Sequence, residues 1–477
     1  MTDATLNTPS AHASADDRIG PVLDALDADR DGARARLFDF LRIPSISTDP
    51  AYAVQCAKAA DWLVGDLAGI GFEATAHATG GHPIVLATQH DAPGPHLLFY
   101  GHYDVQPVDP LELWESDPFD PQIVDLADGG ADKAIRARGA SDDKGQVMTF
   151  VEACRAYRAV HGALPCKITI LVEGEEESGG KHLPGFLEAH ADDLRQADVA
   201  LVCDTGMWDA DTPAITTMLR GMLGEEVVVQ GPDRDLHSGF YGGAAANPIT
   251  VLSQILGALH DADGRVQIPG FYDGVPEMPA TVMAQWDALP FDPGAFLGEI
   301  GLSRPWGEQD RSVLEQTWSR PTAEVNGIWG GYTGAGFKTV IPSTAHAKLS
   351  FRLVGQQDPE AIRQNFRTFV RERLPADCTV AFHAHGASPG TVMPIEADHF
   401  EKTRAALTRE WDREAAFIGC GGSIPVVGEM QRILGLDTLL VGFGLADDRI
   451  HSPNEKYQLR SFEKGARSWA RILDALA

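Results

Sequence analysis

The chain has 477 residues, 44% of them hydrophobic, which predicts a globular protein of two to three domains. Its 68 acidic and 39 basic side chains give a formal net charge of −29, which disfavours binding to nucleic-acid phosphates and to anionic membranes. Because no run of about 18 or more apolar residues is present, the sequence also predicts no membrane span.

The first twenty residues are rich in Ala, Asp, Ser and Thr, and they do not have the basic and apolar segments of a signal peptide. We expect residues 1–20 to form a disordered N-terminal tail. The six cysteines are spread along the chain, without a CxxC pair and without the dense framework of secreted domains. This distribution favours a reducing, cytosolic location.

Short apolar runs alternate with helical patterns through the first two hundred residues, which is typical of an α/β domain. Buried strands are predicted at Pro95–Asp104, Lys167–Gly174 and Ala197–Asp204, and a helix is predicted after Gly145. Each of these strands ends in polar residues. Open α/β sheets bind ligands outside the carboxyl ends of their strands, so we expect a site there.

The pattern changes after Asp204 to an α+β order, which indicates a domain inserted into the first. The predicted elements of the insert are strand Glu225–Gly231, helix Asn247–Leu259, strand His346–Val354, helix Pro359–Leu374 and strand Cys378–Gly386. After about Pro389 the α/β pattern resumes, with a strand at Asp437–Gly444 and a last helix from Ser461. We expect one domain over 21–215 and 390–477, and the insert over 216–389.

Four polar clusters carry the candidate chemistry, at 101–104, 138–145, 173–180 and 447–455. The first three also have a structural explanation: a hydrogen bond between His102 and Asp104, an aspartate that caps a helix, and a solvated acidic loop. The lone histidine of the fourth, His451, means little by itself. Together they supply two histidines and several carboxylates. Mixed nitrogen and oxygen ligation suits zinc, with cobalt or manganese as substitutes. One shared carboxylate and one that binds neither ion would meet the needs of two-metal hydrolysis.

Several strings resemble those of the carnosinase-like dipeptidases, namely GHYDVQP from Gly101, RGASDDKG from Arg138, EGEEES from Glu173 and DLHSG from Asp235. These dipeptidases belong to the two-zinc aminoacylase and carboxypeptidase superfamily of metallopeptidases. The likeness extends from about Leu37 to Lys456. It implies an α/β fold, with a three-layer catalytic domain and an inserted, ferredoxin-like α+β lid and dimerisation domain. It also implies a homodimer.

The resemblance implies two zinc ions that share Asp142. His102 and Asp204 would complete one zinc site, and Glu177 and His451 would complete the other. In this superfamily the peptide bond that matches Asp142–Asp143 is often cis, and we expect the same here.

The resemblance also assigns the groups that act on substrate. Glu176 would be the general base, which takes the proton of the water between the ions and later protonates the leaving amine, and Asp104 would orient His102. The resulting hydroxide would attack the amide carbonyl.

Residues of the insert would bind the substrate. His237 would donate to the oxyanion in the neighbouring subunit's site, while Arg352 and Thr339 would hold the carboxylate end of the substrate. Ser423, in the string GGSIP, is a further candidate for substrate binding.

The chain departs from the family pattern at Gly419-Cys420, where many of these dipeptidases have Arg-Glu. If that acidic residue receives a free α-amino group, its absence puts strict dipeptide specificity in question, although Cys420 is also explained as a small packing residue. The leading interpretation is a dipeptidase. An N-acyl-amino-acid deacylase or a carboxypeptidase of the same superfamily is the alternative, and a non-catalytic metal-binding scaffold is a third.

Overall fold

The computed structural model describes residues 15–126 and 132–477. Within these residues the chain divides into two compact units. The first unit comprises the chain up to Ile215, Pro394–Ala416 and Glu429–Ala477, and the second comprises Thr216–Met393 and Phe417–Gly428.

The helices of the described residues are α1 (Ala15–Ala28), α2 (Arg30–Leu41), α3 (Ala53–Gly69), α4 (Lys144–His161), α5 (Leu183–Ala189), α6 (Ala191–Leu194), α7 (Ser238–Tyr241), α8 (Pro248–Gly257), α9 (Ala280–Asp287), α10 (Pro293–Glu299), α11 (Val313–Trp318), α12 (Pro359–Arg371), α13 (Asp398–Trp411), α14 (Pro425–Glu429) and α15 (Leu459–Leu476). Short helical turns lie at Pro50–Tyr52, Leu111–Leu113, Glu176–Ser178 and Met430–Leu434.

The strands are β1 (Glu73–His77), β2 (Ile84–Gln89), β3 (His96–His102), β4 (Gln122–Asp125), β5 (Lys133–Arg136), β6 (Lys167–Glu173), β7 (Val199–Val202), β8 (Ala214–Leu219), β9 (Gly221–Gln230), β10 (Leu236–His237), β11 (Thr322–Gly330), β12 (Val340–Ile341), β13 (Thr344–Leu353), β14 (Thr379–Ser388), β15 (Thr391–Val392), β16 (Ala416–Cys420), β17 (Thr438–Leu440) and β18 (Lys456–Gln458).

Six strands of the first unit lie side by side in the order β1-β2-β6-β3-β7-β17. Strands β6, β3, β7 and β17 are parallel, whereas β2 is antiparallel to both of its neighbours. Every residue of β3 is buried, as parallel strands require. Phe99 of β3 stacks on Phe150 of α4, and Trp469 of α15 meets both rings edge-on. These contacts fix the strand ends that carry the polar clusters.

The second unit has an antiparallel sheet in the order β11-β13-β9-β14. Buried and more exposed residues alternate along β13, because one face of the sheet is covered. The core on that face includes Phe351 of β13 and Phe366 of α12, together with Leu252 of α8. The structure thus confirms the predicted α/β class and, for this unit, an α+β sheet covered by helices.

Two predicted boundaries need correction. Helix α1 begins at Ala15, so residues 15–20 are helical and not part of a disordered tail; the rest of the predicted tail, 1–14, lies outside the described residues. The second unit also includes 390–393 and 417–428, which the sequence pattern assigns to the first domain. One reason is that Arg220 donates from Nε to the carbonyl of Gly421 (3.0 Å), and Thr217 donates to the carbonyl of Ile418 (3.0 Å).

Within the described ranges, no helix is long and apolar enough to cross a membrane. Five of the six cysteines are buried.

Candidate metal centre

His102 and Asp204 lie at the carboxyl ends of neighbouring parallel strands. His102 is the last residue of β3, and Asp204 comes two residues after β7, which pairs with β3. On the other side of β3, strand β6 leads into the helical turn that carries Glu176 and Glu177. The parallel sheet therefore brings these four side chains to one edge, as its topology predicts.

Asp142 lies just before α4, in a loop that is packed closely against the start of that helix. A Cβ atom at Gly145 would lie 1.9 Å from the carbonyl oxygen of Ala140, so the packing requires glycine there. The Asp142–Asp143 peptide bond is cis, as expected. Asp142 is buried, and its two carboxylate oxygens face different histidines.

The Asp142 carboxylate is shared by two groups of candidate ligands. Its Oδ1 lies 3.0 Å from Nε2 of His102, and Oδ2 of Asp204 lies 4.0 Å from the same nitrogen. Its Oδ2 lies 2.9 Å from Nε2 of His451, which is 3.3 Å from Oε2 of Glu177. Within each group the ligand atoms all lie within 4.8 Å of one another. The structure thus brings the five predicted ligands together, and their role as ligands stays a prediction.

The charges of the site indicate that it is built for cations. Hydrogen bonds to Asp142 and Glu177 raise the pKa of His451 to about 10. Burial lowers the pKa of His102, but its hydrogen bonds to carboxylates outweigh burial and leave the pKa raised. Burial and the nearby Asp142 raise the pKa of Asp204 well above its usual range. Because buried carboxylates outnumber the histidines, divalent cations with nitrogen and oxygen ligands would fit this set.

Asp104 links His102 to the turn that carries the two glutamates. Nδ1 of His102 lies 3.0 Å from the carbonyl oxygen of Asp104 and 3.4 Å from its Oδ1. The Asp104 carboxylate accepts hydrogen bonds from the backbone N–H groups of Glu176 (3.3 Å) and Glu177 (3.0 Å). Donation from Nδ1 leaves Nε2 of His102 directed at Asp142, which is the arrangement that a metal-binding histidine needs.

Glu176 differs from the adjacent Glu177 because its carboxyl group belongs to neither group of ligands. Burial raises the pKa of Glu176 to about 7; the nearby His102 opposes this shift, and the carboxylates of Glu177 and Asp142 add to it. A carboxyl group with a pKa near neutrality can both accept and donate a proton.

Sequence reasoning missed two residues that support the site. Gln106 donates from Nε2 to Oε2 of Glu177 (2.7 Å), and Tyr100 donates to the buried carboxylate of Glu173. Gln106 lies in the same string as His102, but its amide alone gives no sign of which carboxylate it contacts.

The predicted substrate-binding residues lie in the second unit. His237 ends β10 and pairs with Val340 of β12, so that it lies beside Thr339 in the fold. The exposed ring of His237 accepts a hydrogen bond at Nδ1 from the N–H of Gly239 (3.0 Å). Ser423 lies just before α14.

Arg352 of β13 and Arg220 line a cavity of about 410 Å³ within the second unit. No hydrogen bond or ion pair of the Arg352 side chain occurs among the described residues, so its guanidinium is available for an anion. Arg220 was not predicted. Burial and the positive charge of Arg352 lower the pKa of Arg220 to about 10, and its Nε and Nη1 donate to carbonyl oxygens of Gly421 and Gln316.

The chain is similar to known proteins by family model, by sequence and by fold. The family model described as peptidase family M20/M25/M40 matches residues 98–475. The Cys-Gly metallodipeptidase dug1 of Schizosaccharomyces pombe is 29% identical over 474 residues, covering 96% of this chain and 98% of the relative. The human beta-Ala-His dipeptidase is 29% identical over 401 residues, covering 83% and 78%. The M20 family metallo-carboxypeptidase Sso-CP2 from Sulfolobus solfataricus has a TM-score of 0.80 and 29% identity, with 93% of this chain and 99% of that chain covered.

Proposed function

The chain belongs to peptidase family M20/M25/M40, and from that membership we propose that it is a two-zinc hydrolase that cleaves the amide bond of dipeptides or similar small substrates. The observation that carries the proposal is the pair of ligand groups that share Asp142, with Glu176 beside them but in neither group. The dipeptidase names of similar chains of nearly the same length support the substrate class.

Five residues would hold the two ions. His102, Asp142 and Asp204 would bind one, while Asp142, Glu177 and His451 would bind the other. When bound, a zinc pair acidifies a water molecule and polarises the substrate carbonyl; cobalt or manganese could replace zinc.

Glu176 moves the proton. Its carboxylate takes the proton of the attacking water and then passes it to the amine that leaves. Burial is what suits Glu176 to both steps, because it raises the pKa of this group to about 7. Asp104 keeps the Glu176–Glu177 turn in place through its hydrogen bonds to the two backbone N–H groups.

Residues of the second unit would bind the substrate. Arg352 has a free guanidinium that suits the carboxylate end, and Thr339 and Ser423 would add hydrogen bonds there. His237 would stabilise the oxyanion in the site of the other subunit of a homodimer, and residues 216–389 would serve as the lid and dimerisation domain. The scattered distribution of the six cysteines, without a CxxC pair, supports the cytosol as the location.

Gly419-Cys420 favours a second candidate, an N-acyl-amino-acid deacylase or a carboxypeptidase of the same superfamily. Neither residue supplies a carboxylate that could receive a free α-amino group. Cys420 instead accepts at Sγ a hydrogen bond from the N–H of Gly422 (3.3 Å). The similarity to a solved metallo-carboxypeptidase also favours this second candidate.

The experiment is a substrate panel of dipeptides, N-acetyl amino acids and carboxybenzyl-blocked dipeptides. Each is assayed with the zinc-loaded enzyme, after chelation and after zinc is added back, and Glu176→Gln serves as the control for contaminating peptidases. We expect dipeptide turnover that chelation abolishes and zinc restores. Turnover of only the blocked substrates would select the second candidate, and no amide turnover at all would favour a metal-binding scaffold.

A further inference from the structure

Glu455 is a buried carboxylate that accepts four hydrogen bonds from the loop before α4. Its Oε1 accepts from the backbone N–H groups of Ser141 (3.0 Å) and Asp142 (3.1 Å). Its Oε2 accepts from the N–H of Gly139 (3.1 Å) and from Nη1 of Arg138 (2.7 Å). Both carboxylate oxygens are therefore occupied by donors of one short loop, which ends in the shared ligand Asp142.

Glu455 itself lies in the segment that carries His451. Three non-glycine residues of this segment, Arg449, His451 and Asn454, have positive φ values of 57°, 63° and 62°. Such left-handed conformations are strained for most residues other than glycine, so other contacts must hold the turn. One of these contacts is Glu455, whose carbonyl oxygen also accepts from the N–H of Ala137 (3.1 Å).

A second carboxylate joins the same two segments. Oδ2 of Asp448 accepts from the Ser141 hydroxyl (2.9 Å) and from the N–H of Leu445 (2.8 Å). Oδ1 of Asp448 accepts from Nζ of Lys456 (2.9 Å). The Asp142 loop and the His451 segment, more than 300 residues apart in sequence, are thus joined by Glu455 and Asp448 at several points.

We propose that Glu455 is a positioning residue, which sets the distance between Asp142 and His451 and thereby the affinity of the site for its cations. The proposal rests on the proposed metal centre. Glu455 contacts the backbone of Asp142 and belongs to the segment that carries His451. It therefore acts through both proposed ligands without binding an ion itself. Its effect is therefore greatest on the group formed by Asp142, Glu177 and His451.

The test is Glu455→Gln. The substitution keeps the shape of the side chain but places an NH₂ group against buried N–H donors, which cannot bond to it. Zinc is titrated into the metal-free protein against a chromophoric chelator. We expect the affinity for at least one zinc ion to fall about 10- to 100-fold, the range typical for partners that orient metal ligands.

The matched control is Glu410→Gln. Glu410 of α13 is also a buried glutamate, and it accepts from Arg467 (2.6 Å) and Arg471 (2.7 Å), away from the proposed ligands. We expect this control to lower the thermal midpoint of the metal-free protein and to leave zinc affinity unchanged. If Glu455→Gln does not fold, Glu455→Asp keeps the charge but withdraws the carboxylate by one methylene group from its four donors, and a smaller loss of zinc affinity is expected.

Unchanged zinc affinity in the folded Glu455→Gln protein, or in Glu455→Asp if that variant has to be used, overturns the proposal. An equal loss in Glu410→Gln overturns it too, since the effect would then be general destabilisation. Failure of the proposed function looks different. If the wild-type protein binds zinc but hydrolyses no amide, the comparison of zinc affinities still decides the role of Glu455.

Discussion

The backbone N–H of Glu177 donates to the Asp104 carboxylate across 3.0 Å, so that the turn after β6 is held by the residue that also contacts the ring of His102. Asp104 thereby links two proposed ligands of different ions: its carboxylate contacts Glu177, and its backbone carbonyl (3.0 Å) and Oδ1 (3.4 Å) contact Nδ1 of His102. We expect Asp104→Asn to weaken zinc binding about 10- to 100-fold. An isosteric amide still fills the space, but its NH₂ group would face a backbone N–H. Chelator competition measures the change, and wild-type affinity in the variant would remove Asp104 from this role.

Glu176 and Glu177 are adjacent, yet we expect one substitution to lower kcat and the other to lower zinc affinity. Glu176→Gln should keep both zinc ions and lose about 100- to 10,000-fold in kcat, because it removes the proton acceptor and no ligand. Glu177→Gln should lose zinc affinity instead. Zinc content by elemental analysis, measured beside kcat, separates the two. Weak zinc binding in Glu176→Gln together with full zinc content in Glu177→Gln would reverse the assignment.

His237 is expected to complete the neighbouring subunit's site. Glu176→Gln and His237→Ala chains are each inactive, but after subunit exchange one site of every mixed dimer would hold both native groups, since the contact is two-fold symmetric. A random mixture should recover about a quarter of wild-type activity. Persistent inactivity after exchange has been verified by mass spectrometry would show that His237 acts within its own subunit.

Arg352→Met is expected to lower kcat/KM for dipeptides about 10- to 100-fold, because a hydrogen bond to a charged group contributes about 1.5–3 kcal/mol. The matched substrates are the same dipeptides with a carboxamide in place of the terminal carboxylate. For these the variant and the wild-type enzyme should differ little. An equal loss on both substrates would mean that Arg352 supports the fold of β13 and does not bind the carboxylate.

Removal of the metal is expected to destabilise the protein as well as inactivate it. Cations that bind only the folded chain stabilise it, by about 2.7 kcal/mol per ion when free zinc is 100 times its Kd. Calorimetry should show a lower thermal midpoint after chelation and recovery with added zinc. An unchanged midpoint would contradict a structural contribution from the ions.

Much of this fold follows from local patterns, because buried parallel strands and amphipathic helices each have a recognisable period. The predicted strand at 167–174 corresponds to β6, and the predicted helix at 359–374 corresponds to α12. Most of the polar clusters were also found from their place after strands, whereas the individual ligands were assigned from the family resemblance. Glu455 could not be given a role in the same way, since its four donors lie more than 300 residues away and only the folded chain brings them near.

The path of the polypeptide through the two units limits which segments can be exchanged with those of a relative. The chain passes from one unit to the other after Ile215, Met393, Ala416 and Gly428, and the first of these passages falls within a single strand, β8. Neither unit is therefore encoded by one uninterrupted segment. Replacing residues 216–393 with those of a relative would leave residues 417–428 of the original chain in place. That stretch contains Ser423 and also Gly421, whose carbonyl oxygen Arg220 contacts. Chimaeras meant to transfer substrate preference would have to carry both stretches together.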